Sequence, residues 1–495
     1  MSEKTHTAGK NGKFGSRLGF ILASVGSAVG MGNIWMFPYR VGQYGGAAFL
    51  LVYFGFIFLF GMVGLSGEFA FGRLTGTGPI GSYGYALKSR GRRGGGVLGA
   101  IPLIGSLGIA IGYAIIVGWV LRYLFGSLSG VMMGMEAEVY FSQATGHFGS
   151  VPWHFMVVVI TMVVLVGGVL KGIEKVNRIM MPAFFILFVI IAVRVFFLDG
   201  ALAGYEYLLI PRWELLLKPE TWVMAMGQAF FSLSITGSGM IIYGSYLDKK
   251  EDIPKAAMTT ALLDTVAALL AGFAIIPAVF AFQMDPASGP PLMFITLPKV
   301  FAQIPAGRWV AVLFFLSVLF AGITSLVNMF EVCAEAVQTH LHFDRKKAVL
   351  LVGCLVFLIG LFIEYEPYMG SWMDMITIYV VPFGAVLCAI MIYWVLGINR
   401  IGEELNTGRK KPVGKLFCFA AKYIYVGLAV LVFIMSIVYK GIGYEKIKET
   451  PKPAFVGTGV SFIGTYFTAP VSFTVSLSYF VPKILSPASP RPGQM

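Results

Sequence analysis

The first long apolar segment of the chain is interrupted near its middle by Gly26-Ser27-Ala28-Val29-Gly30-Met31-Gly32-Asn33, and the sixth by Ser232-Leu233-Ser234-Ile235-Thr236-Gly237-Ser238-Gly239. Each glycine weakens a helix interior by about 1 kcal/mol, so both stretches are expected to break their helices. Non-helical backbone at membrane depth is tolerated only where it lines a cavity. Interruptions at matching positions in two halves of a chain indicate the binding site of a transporter with inverted repeats.

The composition is that of a membrane protein, because 57% of the 495 residues are hydrophobic and only 12% are charged. A membrane-spanning helix needs about 20 mostly apolar residues. The chain is therefore predicted to be a single all-α polytopic domain over 1–495, with no signal peptide before the first span. Twelve spans are predicted, at 18–40, 47–73, 97–125, 154–170, 176–198, 222–246, 257–283, 308–338, 348–364, 373–397, 417–439 and 457–483.

The net charge of +13 is distributed as a topology signal. Lys and Arg cluster in alternate short loops, at 88–93, 171–178, 249–255, 345–347 and 400–411, whereas the intervening loops 126–152 and 364–372 contain neither. This alternation follows the positive-inside rule and predicts a multi-pass protein of the cell membrane with both termini in the cytoplasm. The basic surplus is thus explained by the lipid bilayer, and no nucleic-acid partner is expected.

Motifs for enzymatic chemistry or nucleotide binding are absent from the sequence: it contains no Walker loop, no HExxH pair and no G-x-S-x-G elbow. We therefore expect a carrier rather than an enzyme, with no organic cofactor and with an ion gradient as its energy source.

Three motifs carry a family resemblance. The stretch from Arg17 to Ala23, continuing through Gly30-Met31-Gly32-Asn33-Ile34-Trp35 to Phe37-Pro38-Tyr39, resembles the first helix of the neurotransmitter:sodium symporter family. Residues 227–234 resemble its sixth helix and residues 320–325 its eighth. The resemblance implies the fold of the bacterial leucine transporter, with inverted repeats at 18–198 and 222–397 and peripheral helices at 417–483.

The resemblance also implies two sodium sites. Sodium is a hard cation that prefers oxygen ligands. The first site would use the Ala28 carbonyl, the Asn33 side chain, the hydroxyl or the carbonyl of Ser232, and Asp264. The second would use the carbonyls of Gly26, Val29 and Ala321 and the hydroxyls of Thr324 and Ser325. Without the family, the last two hydroxyls would more simply be bonded to their own helix.

Asp264 is the only carboxylate in the seventh apolar segment. A buried charge is unfavourable by several kcal/mol unless it is paired or binds a cation. Chloride-dependent members of the family have an uncharged residue here and use bound chloride instead. Tyr53, Gln228 and Ser232 match part of that chloride site, but Asp264 supplies its own charge, so chloride independence is expected.

The expected substrate is a neutral α-amino acid, and the first indication of this class is Gly30. Monoamine carriers of the family have an aspartate at this position, so Gly30 leaves room for the substrate's own carboxylate, which Tyr113 would bind. Carbonyls around Ala28 and Phe231 would hold its ammonium group. By resemblance, the substrate is bound by Ser27, Ala28, Gly30, Met31, Gly32, Ile109, Tyr113, Phe231, Ser232, Ser234, Gly237, Ser325 and Met329. Gly237 replaces a larger residue of many relatives, which favours a bulky apolar side chain.

The gates depart from the family pattern. Met36 stands where an arginine is usual, and Asp374 matches that arginine's partner. Arg40, about one helical turn further out, either replaces the arginine as the partner of Asp374 or faces outside water. Gly172 and Pro182 resemble the motif whose unwinding in the fifth helix lets water reach the second sodium; the alternative for Pro182 is a simple kink.

Two other functions remain compatible with the sequence. A channel-like protein would need a continuous polar stripe along several helices, whereas the polar residues cluster at mid-depth. An amino-acid sensor that does not transport could have the same fold. The sequence leaves open the oligomeric state.

Overall fold

The computed structural model describes residues 12–284 and 291–441, which are almost entirely helical and contain no β-strand. The first predicted span consists of two helices, α1 (Arg17–Ala28) and α2 (Gly32–Gln43), which are inclined to each other by 61°. The helix ends at Val29, whose backbone is extended with φ −68° and ψ 118°. The glycine-rich stretch thus breaks the helix as predicted.

Seven helices complete the first half of the chain. They are α3 (Ala47–Thr75), α4 (Pro79–Lys88), α5 (Gly95–Ser129), α6 (Ala137–Thr145), α7 (Val151–Val166), α8 (Val169–Phe196) and α9 (Ala201–Leu209). Short 3-10 turns lie at Val131–Gly134 and Trp213–Leu217.

The second half begins with another broken helix, α10 (Pro219–Ser232) and α11 (Gly239–Ser245). In the break, Ser234 and Gly237 have left-handed backbones with φ of 51° and 77°. The remaining helices are α12 (Ile253–Ala281), α13 (Leu292–Gln303), α14 (Gly307–Leu341), α15 (Arg345–Ile363), α16 (Glu366–Asn406) and α17 (Lys415–Val438).

The described helices agree with the predicted spans in order and approximate position. Eight helices of the described part are long and apolar enough to cross a bilayer singly, and α1 with α2 forms a ninth, bent span. The predicted spans at 154–170 and 222–246 correspond to shorter helices, α7 and the pair α10–α11. The predicted span at 457–483 lies outside the described residues, so the count of twelve stays a prediction.

Helices α5 and α14 form the centre of the bundle. The most apolar windows of these helices are 72% and 78% buried, whereas those of α8 and α17 are each 28% buried. Helix α1 packs against α8, α12 and α14, and residues 26–33 are all buried. This packing holds the first break inside the protein, where the unpaired backbone groups can serve a ligand.

Candidate ion and substrate site

The two helix breaks meet at one cavity of about 180 Å³, bounded also by α5, α14 and α16. The breaks are joined directly, because the Ser234 hydroxyl donates a hydrogen bond of 3.0 Å to the Ser27 carbonyl. With the exception of Gly237, every residue expected to bind the substrate lines this cavity. The lining is mostly apolar, and Phe231 is 39% exposed toward the open space.

The wall opposite Gly30 is formed by hydroxyl groups. A Cβ atom on Gly30 would lie 2.8 Å from Tyr113 Oη and 3.3 Å from Ser325 Oγ. The Met31 amide donates a 3.1 Å hydrogen bond to Tyr113 Oη. Because the tyrosine accepts this bond, its own hydrogen can be donated to another oxygen. The absence of a side chain at Gly30 therefore lets the hydroxyls of Tyr113 and Ser325 approach the first break closely, and all three residues line the cavity there.

The residues expected at the first sodium site form a buried cluster. Ser232 Oγ donates to Asp264 Oδ2 at 2.6 Å, and Asn33 Nδ2 donates to Asp264 Oδ1 at 2.8 Å. Asn33 Nδ2 also lies 3.2 Å from Ser232 Oγ, while Asn33 Oδ1 accepts from the Gly30 amide at 3.1 Å. Ala28 lines the adjacent cavity. The Asn33 amide thus presents its nitrogen to the carboxylate, and a cation among these oxygens would require the amide to present its oxygen.

The residues expected at the second sodium site join α1 to α14. Ser325 Oγ lies 3.2 Å from the Gly26 carbonyl oxygen and 2.9 Å from that of Val29. Thr324 Oγ1 lies 3.1 Å from the Ala321 carbonyl oxygen and is also bonded within its own helix, to Phe320 at 2.9 Å. Because Ser325 bonds to α1, the alternative that the hydroxyl is bonded only within its own helix applies to Thr324 and not to Ser325. Carbonyl and hydroxyl oxygens of this kind suit a hard cation.

The expectation that Gly237 enlarges the substrate pocket is wrong. Its missing side chain would point away from the cavity, to within 2.8 Å of Cys388 Cβ and of the Gly384 carbonyl oxygen. The Gly237 amide donates a 2.8 Å hydrogen bond to the buried Glu68 carboxylate. With its φ of 77°, this glycine serves the backbone conformation of the break.

We expect Gly237→Ala to lower stability by about 1–3 kcal/mol, the range for a strained left-handed residue, while the order of preference among amino acids is unchanged. Thermal unfolding and competition by amino acids of different size would measure the two effects. Gly427→Ala is the control, since a Cβ there meets no atom of the described residues within 4 Å. A shift of preference toward small amino acids would restore Gly237 as a determinant of pocket size.

In α2, Arg40 is 5% exposed and donates a 2.8 Å hydrogen bond to Gln228 Oε1. The alternative that Arg40 faces outside water is therefore wrong. Asp374 lines the cavity beside Met36, and its pairing with Arg40 stays a prediction. Tyr53 of the partial chloride-site match is fully buried.

At the other end of the site, Gly172 lies in a π-helical turn, Val169–Glu174, and Pro182 lies inside the same helix. Helix α8 is continuous through both residues in this structure. The unwinding that the resemblance implies between them stays a prediction.

Sequence reasoning missed several polar residues around the breaks. Glu68 accepts a hydrogen bond from the Gly237 amide in the second break. Glu331 accepts hydrogen bonds of 3.1 and 2.7 Å from Arg345 and one of 2.6 Å from Tyr246. The signal that singled out Asp264, a carboxylate in an apolar span, applies to both glutamates. The hydroxyl of Ser106, bonded to Ser238 at 2.6 Å, carries no comparable signal. Further cavity residues come from α16 and α17 and include Met369, Met373, Val432 and Ser436.

A cavity between two broken apolar helices, bordered by two groups of buried oxygen atoms, is typical of a carrier for a small solute. A profile of the sodium:neurotransmitter symporter family matches residues 11–143 and 135–478. The chain belongs to this family.

Its relatives are transporters rather than enzymes. The chain is 33% identical to the uncharacterized sodium-dependent transporter YhdH of Bacillus subtilis, over 86% of this chain and 97% of that protein. It is 24% identical to the human sodium- and chloride-dependent GABA transporter 2, over 88% of this chain and 82% of that protein. The crystal structure of MhsT in complex with L-phenylalanine matches with a TM-score of 0.76 and 33% identity, covering 86% of this chain and 99% of that one. The chain is therefore a sodium-dependent transporter of this family, and the expectation of an all-α membrane carrier is confirmed.

Proposed function

We propose that the chain is a sodium-coupled symporter of neutral amino acids that works by alternating access and excludes charged amino acids by its apolar lining. The observation that carries the proposal is the polar end of the cavity, which Gly30 and Tyr113 line beside the Asn33–Ser232–Asp264 cluster. A substrate carboxylate there would accept from Tyr113 and share the field of a sodium ion at the cluster. Two sodium ions, one at each oxygen group, would drive the transport.

The substrate side chain would lie against apolar residues. Met31, Ile109, Phe231 and Met329 line the cavity, and a charged side chain there would be desolvated without a partner. The L-phenylalanine bound to MhsT supports an apolar side chain. The apolar lining therefore replaces Gly237 as the argument for a bulky hydrophobic substrate.

Chloride independence is the finer part of the proposal. The Asp264 carboxylate is fully buried and accepts hydrogen bonds from Asn33 and Ser232. A permanent negative charge at this position would balance sodium without bound chloride. The basic loops further support a cell-membrane topology with both termini in the cytoplasm.

Binding can be tested by thermal unfolding of the purified protein with a panel of amino acids, in sodium or in potassium. A ligand at a hundred times its Kd stabilises the folded state by about 2.7 kcal/mol. We expect the largest stabilisation from aromatic or branched amino acids, only in sodium and independently of chloride. Equal stabilisation in potassium, or stabilisation by charged amino acids alone, would contradict the proposal.

The outer gate yields a further prediction. If Arg40 pairs with Asp374 when the site closes, Arg40→Ala and Asp374→Ala should show a coupling free energy of about 0.5–3 kcal/mol in substrate binding, as contacting residues do. A double-mutant cycle on substrate affinity measures this value. Additive effects would show that the gate closes by packing alone and that Arg40 serves Gln228, its partner at 2.8 Å.

A further inference from the structure

Asn177 on α8 carries a buried amide oxygen that has no hydrogen-bond partner among the residues that the structure describes. The residue is fully buried, and its Nδ2 donates a 2.9 Å hydrogen bond to the Ile173 carbonyl. This bond fixes the orientation of the amide, because the opposite orientation would place two oxygens against each other. An unpartnered oxygen in a buried position is unfavourable, which points to a ligand.

The oxygen lies against Gly26, one of the residues expected at the second sodium site. A Cβ on Gly26 would lie 2.0 Å from Asn177 Oδ1 and 2.9 Å from Thr324 Cβ. Asn177 therefore lies against the backbone of one proposed sodium ligand and beside the side chain of another. Cα–Cβ bonds of a helix tilt toward its N-terminus, so Asn177 approaches Gly26 from the side where α1 begins. In the proposed topology this is the cytoplasmic side.

The same face of α8 is attached to the start of α1. Glu174, three residues before Asn177, accepts from the Gly15 amide at 2.6 Å and from Ser16 Oγ at 3.0 Å. Positions i and i+3 lie on one helix face, so Glu174 and Asn177 both contact α1. Both lie between Gly172 and Pro182. A change in this segment of α8 would thus act on the start of α1 and on the Asn177 oxygen together.

We propose that Asn177 is a further sodium ligand, which receives the ion of the second site through Oδ1 as it leaves toward the cytoplasm. The assignment rests on the proposed function. Amide oxygens are ordinary ligands of hard cations. An oxygen on the cytoplasmic side of Gly26 can take the place of one of the site's own ligands as the ion leaves. This replacement lowers the barrier to sodium release.

The test compares Asn177→Leu, which keeps the approximate volume and removes the oxygen, with Asn177→Asp, which keeps the oxygen and adds charge. Thr161→Val is the control, since that buried hydroxyl bonds only the Val157 carbonyl of its own helix, at 2.9 Å. Two rates are measured in proteoliposomes: net uptake driven by a sodium gradient, which requires sodium release, and amino-acid exchange with equal high sodium on both sides, which does not.

For Asn177→Leu we expect net uptake to fall about tenfold while exchange stays within about twofold of the wild type. Asn177→Asp should lower the sodium concentration for half-maximal binding, and it carries the test if the leucine variant does not fold. Equal losses in both rates, or no loss in either together with unchanged sodium affinity of Asn177→Asp, would overturn the assignment. A wild type without sodium-driven uptake would instead contradict the proposed function.

Discussion

Asp264→Asn is expected to raise the sodium concentration that half-saturates transport by about tenfold, or to make transport responsive to chloride. The carboxylate is fully buried and holds Asn33 and Ser232 at 2.8 and 2.6 Å. Loss of its charge removes an attraction for sodium in a region of low dielectric constant, and a bound anion could then restore the balance. Sodium titrations of uptake with chloride or gluconate would measure both effects.

Glu364→Gln is the matched control for Asp264→Asn. Glu364 is also a buried carboxylate, but its partners are the amide and hydroxyl of Ser150, at 3.1 and 2.7 Å, outside the proposed sodium sites. We expect its sodium dependence to equal that of the wild type. Unchanged sodium affinity and unchanged chloride response in Asp264→Asn would remove Asp264 from the sodium site.

Gly30→Asp is expected to weaken amino-acid binding by about a hundredfold or more. The first atom of the new side chain would lie 2.8 Å from Tyr113 Oη, closer than carbon and oxygen tolerate, and the new carboxylate would occupy the space proposed for that of the substrate. A hundredfold loss corresponds to about 2.7 kcal/mol, within reach of overpacking combined with like-charge repulsion. Equilibrium binding of the best amino acid would measure it.

A control for Gly30→Asp is Gly55→Ala, because a Cβ on Gly55 meets nothing within 4 Å. Binding should be unchanged in this variant. Amines without a carboxylate offer a second comparison, since the new aspartate could replace the missing group. Wild-type affinity for amino acids in Gly30→Asp would show that the carboxylate binds elsewhere.

The position of the candidate site between the two breaks could be predicted because such a site leaves signals in the sequence. Clustered glycines in an apolar span mark a helix break, since glycine disfavours the helix and frees backbone groups for ligands. An isolated carboxylate in an apolar span marks a buried polar site. These two signals located the breaks and Asp264, and the family motifs supplied the hydroxyls of Thr324 and Ser325.

The error at Gly237 has a physical reason. A glycine that replaces a larger residue can open space or can satisfy a backbone conformation, and only coordinates distinguish the two. Here the φ of 77° and the close approach of Cys388 and Gly384 decide for the backbone. The direction in which a side chain at Gly237 would point depends on tertiary packing, and composition and residue spacing do not predict it.

The surroundings of Arg40 and Asn177 were also beyond the reach of sequence. Helical spacing placed Arg40 one turn beyond Met36, but its burial and its bond to Gln228 depend on how α2 meets α10. In the sequence, Asn177 is an ordinary polar residue near a helix end. Only the structure shows that its oxygen lies against Gly26. Long-range contacts of this kind arise only when the helices are assembled.

The central claim is sodium-coupled symport, and accumulation of a radiolabelled amino acid in proteoliposomes tests it most directly. The amino acid is the one that stabilises the purified protein most in sodium. An inward sodium gradient should drive saturable uptake to an internal concentration above the external one, and replacement of sodium by potassium should abolish it. Flux that does not saturate would indicate a channel, and binding without flux a sensor; either result would contradict symport.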